Sequence, residues 1–192
     1  MSEQLLLWTD IETTGVDESE DAVLEIGMLV TDWDLHSFDW GFHVCIRPSL
    51  WRWKRVGMSP EARRMHEANG LLEEIDTARS VPARWAIAAM DDYLRPYLTD
   101  WVKMLLAGSS VDFDRRFLRR LHPDLFDERV LGHRVMDVSV LDEIARNRYP
   151  DVYAHRPDRT TDHRVSNCLT DSMNLYSYYQ QHLLTSKESG QS

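Results

Sequence analysis

The chain has few cysteines and no long apolar segment. Its two cysteines, Cys45 and Cys168, lie far apart without a Cys-x-x-Cys spacing, which argues against a disulfide framework or a cysteine-based zinc site. No apolar stretch approaches the ~18 residues of a membrane span. The first residues lack the basic segment and the apolar run of a signal peptide. We therefore expect a soluble, cytoplasmic protein that makes no contact with a membrane.

Positive charge is also scarce, since 22 lysine and arginine residues stand against 32 aspartate and glutamate residues, a formal net charge of −10. This balance argues against a broad basic surface that holds long duplex nucleic acid. It allows a small nucleic-acid substrate in a carboxylate-lined cleft, because bound cations reverse the local sign of the charge. Hydrophobic residues make up 43% of the 192 residues, which predicts one folded domain over 1–184, followed by a flexible tail at 185–192.

Apolar runs predict five strands, over 5–10, 23–31, 41–46, 103–107 and 135–140. Three strands followed by helices that alternate with further strands are typical of an α/β fold, here with a mixed five-stranded sheet flanked by helices. Glu25 interrupts the apolar second strand, and a buried carboxylate needs a partner there.

Helices are predicted to begin at Ser59, Ser80, Asp112, Leu141 and His163. The helix that follows Ser80 is indicated by apolar residues at helical spacing, namely Trp85, Ala88, Ala89 and Tyr93. Loops are predicted over 47–58 and 149–162. The first loop contains Trp51 and Trp53 among basic residues, a cluster that fits either base stacking or packing of the loop on its own protein or on a second subunit.

Two carboxylates end the first strand. Asp10 and Glu12 are one residue apart, and in an extended chain such residues point to the same side. Strand ends of α/β proteins often bind ligands, although polar residues are also expected where a strand end meets solvent. Further carboxylates at Asp114 and Asp137, with His163 at the start of the last helix, fit two-metal phosphodiester hydrolysis. In that chemistry one ion activates a water, the other stabilises the leaving oxygen, and the histidine removes the proton.

Six strings, spread from residue 5 to about 180, carry a resemblance to a known family: WTDIETTG (8–15), VLEIGMLVTD (23–32), MHEANGL (65–71), GSSVDFDRRFL (108–118), HRVMDVSVLDEIAR (133–146) and HR (163–164). In this order they resemble the DEDD superfamily of 3′–5′ exonucleases, in its histidine subclass, and within it the oligoribonucleases. The resemblance implies a ribonuclease H-like exonuclease fold and two Mg²⁺ or Mn²⁺ ions per active site. It also implies short single-stranded RNA as the substrate and a homodimer.

The resemblance implies roles for single residues by position. Asp10 and Glu12 resemble the metal ligands of the first motif, Asp114 resembles that of the second, and His163 resembles the general base. The expected substrate contacts are Val16, His66, Ser110, Arg134 and Ser139.

Within that set, Val16 and His66 correspond to the residues that stack on the terminal bases. The other three correspond to a cap on the substrate's 5′ phosphate, which would favour very short oligonucleotides, and an arginine with two hydroxyls suits a phosphate. Asp137 is expected to support the site from just beyond it. Asp112 is interpreted as a helix cap rather than as a ligand.

The sequence departs from the family at one ligand. The family has an aspartate five positions after the general base, whereas here Cys168 follows His163 at that spacing. A thiolate is a soft ligand and replaces a carboxylate poorly for Mg²⁺. Asp171, one helical turn further on, is a candidate to take over through a water, or is a solvated helix residue.

The leading interpretation is an exonuclease that removes 5′ mononucleotides from the 3′ end of very short RNA. Two alternatives remain at this stage. One is a broader DNA or RNA trimming exonuclease of the same superfamily. The other is a nucleotide-binding protein in which Cys168 has weakened or abolished catalysis.

Overall fold

A mixed six-stranded sheet organises the fold. The computed structural model describes residues 3–49, 57–99, 102–127, 130–160 and 162–184. The strands are β1 (Glu3–Thr13), β2 (Val23–Thr31), β3 (Phe42–Arg47), β4 (Val81–Pro82), β5 (Val102–Gly108) and β6 (Leu131–Asp137). Their order across the sheet is β4-β3-β2-β1-β5-β6, with β1, β2 and β3 antiparallel and the other neighbours parallel.

Helices flank this sheet. They are α1 (Pro60–Ala68), α2 (Leu71–Ile75), α3 (Ala83–Leu94), α4 (Val111–Leu121), α5 (Val138–Arg148), α6 (Pro150–Ala154) and α7 (Val165–Tyr179). Short 3₁₀ segments cover Arg95–Tyr97 and Pro123–Phe126, and a π-helical turn over Gln180–Leu184 extends α7. In the part of the chain that the structure describes, no helix has the length and apolarity needed to cross a membrane.

The predicted α/β fold is correct, but the predicted five strands become six. The additional strand is β4, which pairs with Ile46 and Arg47 at the end of β3. This pairing occupies residues that were predicted to open a helix, so α3 begins at Ala83. The Ser80 hydroxyl donates to the carbonyl of Ile75 instead of capping α3.

Several helix boundaries also differ from the predictions. The buried stripe of α3 consists of Ala86, Met90 and Leu94, whereas Trp85 is exposed. The loop predicted over 149–162 contains α6, and α2 was not predicted. By contrast, Ser59 caps α1 as predicted, accepting a hydrogen bond from the backbone N–H of Ala62 at 3.1 Å. Trp51, Trp53 and the tail at 185–192 lie outside the described residues.

Alternation along β1 decides which side of the sheet its carboxylates face. Leu5, Leu7 and Ile11 belong to a core that α3 and α4 cover. Leu6 and Trp8 belong to a second core that α5 and α7 cover. Because side chains alternate along a strand, Asp10 and Glu12 continue the second series and face α7.

Gly27 allows α7 to approach the sheet closely. It lies directly opposite Asp10 in the β1–β2 register. A Cβ at this position would lie 2.9 Å from the side chains of both Val165 and Leu169 in the first turns of α7. The absent side chain therefore brings the start of α7, which carries Cys168, against the acidic end of β1.

Replacing Gly27 by alanine tests this packing. We expect Gly27→Ala to destabilise the fold by about 1–3 kcal/mol, because overpacking forces α7 away from the sheet. The midpoint of urea unfolding measures the change. A suitable control is Gly132→Ala in β6, where the added Cβ would meet the end of the Leu105 side chain at 3.1 Å. Equal losses in the two variants would contradict a special role for Gly27.

Candidate active site

Three potential metal ligands converge at the end of β1. Asp10, Glu12 and Cys168 each contribute one potential ligand atom, and these three atoms lie within 4.8 Å of one another. We call this group the acidic cluster. Beyond Trp8, β1 has no partner residue in β5, so the backbone there needs another acceptor. Asp114 supplies it, since its Oδ1 accepts a hydrogen bond from the N–H of Ile11 at 3.0 Å. The predicted ligand Asp114 therefore lies beside the acidic cluster.

Burial and mutual repulsion disfavour negative charge in this group. Burial raises the pKa of Asp10 from 3.8 to about 7, against the hydrogen bond from Cys168 and the charge of Arg159. Burial and the charge of Asp10 raise the pKa of Glu12 to about 9. Burial also raises the pKa of Asp114 well above its ordinary value, and that of the Cys168 thiol above its ordinary value. Such a group holds more negative charge once a cation is present.

One oxygen of Asp10 fits a cation in particular. Its Oδ2 is buried and has no hydrogen-bond partner in the described part of the chain. An unpaired buried acceptor is costly, and a divalent ion would satisfy it. Carboxylate oxygens suit Mg²⁺ and Mn²⁺, while the Cys168 sulfur prefers softer ions. The residues present therefore fit a divalent cation with one ligand that is poor for Mg²⁺.

Asp171 does not join this group. Its two carboxylate oxygens accept hydrogen bonds from the backbone N–H and the hydroxyl of Thr160, each at 2.8 Å. The carboxylate thereby ties α7 to the loop that precedes it.

Glu25 has the partner that its burial required. Its Oε1 lies 2.6 Å from His43 Nε2 and 2.7 Å from Nη2 of Arg164, which also donates to Glu74. Burial alone would raise the pKa of Glu25, but the hydrogen bonds from His43 and Arg164 outweigh it and lower the pKa. Arg164 is the N-cap residue of α7, so this ion pair fixes the start of that helix to β2.

His163 has a constrained backbone at the start of α7. Its φ of +53° is in the left-handed region, which is strained for a residue other than glycine. The Asn69 side chain donates to the carbonyls of Asp162 and His163 at 3.0 and 2.7 Å. The side chain of His163 is exposed. The helix predicted to begin at His163 begins instead at Val165, because of this conformation.

The two residues expected to stack on bases do not share an open surface. Val16 is 80% exposed, whereas His66 is 0% exposed. The His66 Nε2 lies 2.9 Å from the carbonyl oxygen of Thr13, and burial lowers its pKa. A stacking ring needs an exposed face, so the expectation for His66 does not match this conformation. The inward hydrogen bond is the reason.

The expected phosphate contacts are connected by Asp137. Its Oδ1 accepts from the backbone N–H of Ser110 at 3.0 Å and from that of Ser139 at 2.9 Å, and its Oδ2 accepts from Val111. This one carboxylate caps both α4 and α5. It brings the two serines together, although the Ser139 hydroxyl donates to Asp137 at 2.6 Å. Arg134 is exposed on β6.

The helix cap predicted for Asp112 is wrong. Asp112 is exposed in the first turn of α4, and its carboxylate pairs with Arg116 at 3.2 Å. Asp137 provides the cap from outside the helix. Sequence reasoning also missed Asn69, Arg164 and Arg159 as residues that shape the site. The one signal that pointed to any of them was Glu25, an acid in an apolar strand that required a partner.

We expect Asp10→Asn to stabilise the cation-free protein at pH 8. A raised pKa means that the folded state binds more protons than the unfolded state, so stability falls as pH rises from about 4 through 7. The amide removes this loss, by about 1 kcal/mol or more, which corresponds to a melting temperature higher by about 2–4 °C. Mg²⁺ or Mn²⁺ should stabilise the original protein and not the variant.

Thermal unfolding with and without divalent cations measures both effects. The matched control is Asp112→Asn, which changes an exposed carboxylate on α4. Cation stabilisation that survives Asp10→Asn would contradict the role given to the acidic cluster.

Comparison with known proteins agrees with this geometry. The profile of the exonuclease family matches residues 7–176. The oligoribonuclease of Tropheryma whipplei is 34% identical over 183 residues, which cover 94% of this chain and 94% of the relative. That of Streptomyces coelicolor is 35% identical over 177 residues, which cover 92% of this chain and 85% of the relative.

Solved structures show the same fold at low identity. Exonuclease I from Methylocaldum szegediense superposes with a TM-score of 0.70 at 16% identity over 94% of this chain. Exonuclease I from E. coli, in complex with a dA16 oligonucleotide, superposes with a TM-score of 0.70 at 12% identity over 95% of this chain. This chain covers 41% and 42% of those two longer chains.

Proposed function

The chain belongs to the exonuclease family and, within it, to the oligoribonucleases, and from this premise we propose that it hydrolyses very short RNA from the 3′ end. The products are 5′ mononucleotides. The observation that carries the proposal is the acidic cluster at the end of β1, in which the buried Oδ2 of Asp10 has no partner among the described residues.

The acidic cluster and the adjacent Asp114 have separate roles in this proposal. Asp10, Glu12 and Asp114 hold divalent cations, for which we propose Mg²⁺ or Mn²⁺, two per active site. When bound, these ions supply a nucleophilic water and stabilise the leaving oxygen. Cys168 occupies the position of one ligand, and its sulfur lies within 4.8 Å of a carboxylate oxygen of Asp10.

His163 acts as the base. The water oxygen bonds to phosphorus, the bond from phosphorus to the 3′ oxygen breaks, and the 5′ mononucleotide leaves. A proton passes from the water to His163, and the leaving 3′ oxygen takes up a proton. The exposed imidazole and the constrained backbone beneath it support this role, because a base must keep both its orientation and its access to water.

The substrate contacts and the assembly are part of the same proposal. Ser110, Arg134 and Ser139 contact the 5′ phosphate, and the capping of both serine turns by Asp137 supports a shared pocket. Val16 contacts a terminal base, and His66 does so only after a movement of its ring. A homodimer and a cytoplasmic location remain predictions.

A hydrolysis assay tests the function. Labelled RNA and DNA of two, five and twenty nucleotides are incubated with Mg²⁺ or Mn²⁺, and the products are separated by length. We expect the shortest RNA to be degraded fastest, and Asp10→Ala to abolish hydrolysis. Preference for the longest strands, or for DNA, favours a broader trimming exonuclease. Binding of dinucleotides without hydrolysis favours a nucleotide-binding protein.

Cys168→Asp tests the ligand that departs from the family. A carboxylate is a better ligand for Mg²⁺ than a thiol, so we expect faster Mg²⁺-dependent turnover and a smaller advantage of Mn²⁺ over Mg²⁺. The variant should also be less stable without cations, because it adds a carboxylate to a group that already disfavours charge. Turnover and thermal unfolding measure the two effects.

Cys45→Ala is the control, since it removes the other thiol, which is buried away from the acidic cluster. If Cys168→Asp is neutral while Asp171→Asn is inactive and also loses affinity for divalent cations, the ligand has moved by one helical turn and the assignment of position 168 is wrong.

A further inference from the structure

Arg159 lies near the acidic cluster. It belongs to the segment between α6 and α7, and its Nη2 is 3.3 Å from the Ser109 hydroxyl oxygen. Ser109 is fixed in turn by the hydroxyl of Ser172 in α7, at 2.9 Å. The charge of Arg159 acts on Asp10 and opposes the effect of burial there. An exposed arginine therefore lies close enough to the acidic cluster for its charge to act on Asp10.

Most N–H donors of the Arg159 guanidinium form no hydrogen bond with the described residues. Within the described ranges, Arg159 forms no ion pair, whereas Arg116 and Arg164 each pair with two carboxylates. A guanidinium has five N–H donors in a planar fork, and only the contact with Ser109 uses one of them. The remaining donors have no partner among the described residues and fit an anion that accepts two hydrogen bonds.

The backbone next to Arg159 is held in place from α7. Asp171 accepts both hydrogen bonds that Thr160 can donate, from its N–H and from its hydroxyl. This contact limits the movement of the adjacent Arg159. Further along the same segment, Asn69 holds the carbonyls of Asp162 and His163. The arginine is thus followed by two anchored stretches of the same segment, at Thr160 and at Asp162 and His163.

We propose that Arg159 binds the phosphodiester that is cleaved, and that Asp171 is a positioning residue that acts through Thr160 and Arg159. The inference rests on the proposed function, since it assumes an oligonucleotide in front of the acidic cluster. A phosphodiester bound there would be neutralised both by the cations that the acidic cluster would hold and by the guanidinium. Both sources of positive charge then neutralise the same anionic oxygens.

Two dinucleotide analogues test the contact. One has an ordinary RNA phosphodiester, and the other has an uncharged methylphosphonate at the same linkage. Affinities are measured with Ca²⁺ in place of the activating cation, and the ligand is checked for cleavage after each titration. We expect Arg159→Gln to weaken binding of the phosphodiester by about 10-fold or more, and that of the methylphosphonate by less than about 2-fold. Arg159→Lys should recover part of the loss.

The control is Arg146→Gln, which removes the same charge from an exposed arginine of α5 and should change neither affinity. Equal losses for both analogues in Arg159→Gln, or no loss for either, would overturn the inference. A wild-type protein that neither binds nor hydrolyses oligonucleotides would instead contradict the proposed function. The two failures are therefore distinguishable.

A double-mutant cycle tests Asp171. Asp171→Asn removes one of the two acceptors of Thr160, so we expect it to weaken binding of the phosphodiester less than Arg159→Gln does. The double variant should bind no more weakly than Arg159→Gln alone, and Ca²⁺ affinity should be unchanged. Additive losses, or a lower Ca²⁺ affinity, would mean that Asp171 acts independently of Arg159 and would contradict its positioning role.

Discussion

The close packing of α7 on the two central strands is the constraint on which the candidate site depends. Asp10 and Glu12 project from β1, whereas Cys168 comes from the first turns of α7. These three residues meet because Gly27 leaves no side chain between β2 and the helix. Interior packing is dense and shifts little, so the distance between these residues is set by the backbones rather than by flexible side chains.

The buried carboxylates at the site differ in how far positively charged side chains pair with them. Glu25 is buried but has two cationic partners, and the ion pair with Arg164 fixes the helix that completes the site. Asp10 and Glu12 lie on the same side of the neighbouring strand β1. Among the described residues neither forms an ion pair with an arginine, and the nearest basic group to Glu12 is His66, whose Nε2 lies 3.9 Å from Glu12 Oε2. The fold thus uses one carboxylate to hold its elements together and keeps the others free to bind a cation, at a cost in stability when no cation is present.

Local patterns in the sequence predicted the features that depend on one element. The apolar run over Val23–Thr31 predicted β2 with the observed bounds, because both of its faces are covered. Strand alternation placed Asp10 and Glu12 on one side. Features that depend on distant residues were missed: the pairing of Val81–Pro82 with β3 displaced a predicted helix start, and a backbone carbonyl from β1 turned His66 inward.

Asp137 caps the starts of both α4 and α5 and thereby links the two helices to each other. Ser110 precedes the first residue of α4 and Asp114 lies four positions later, a rise of about 6 Å along the helix axis. Because Asp137 joins this turn to the start of α5, neither helix can move alone. In the proposed function, the distance between the 5′ phosphate at Ser110 and the bond broken beside Asp114 is therefore set by the backbone. The length of the RNA, and not the identity of its bases, would then decide which substrates are cleaved.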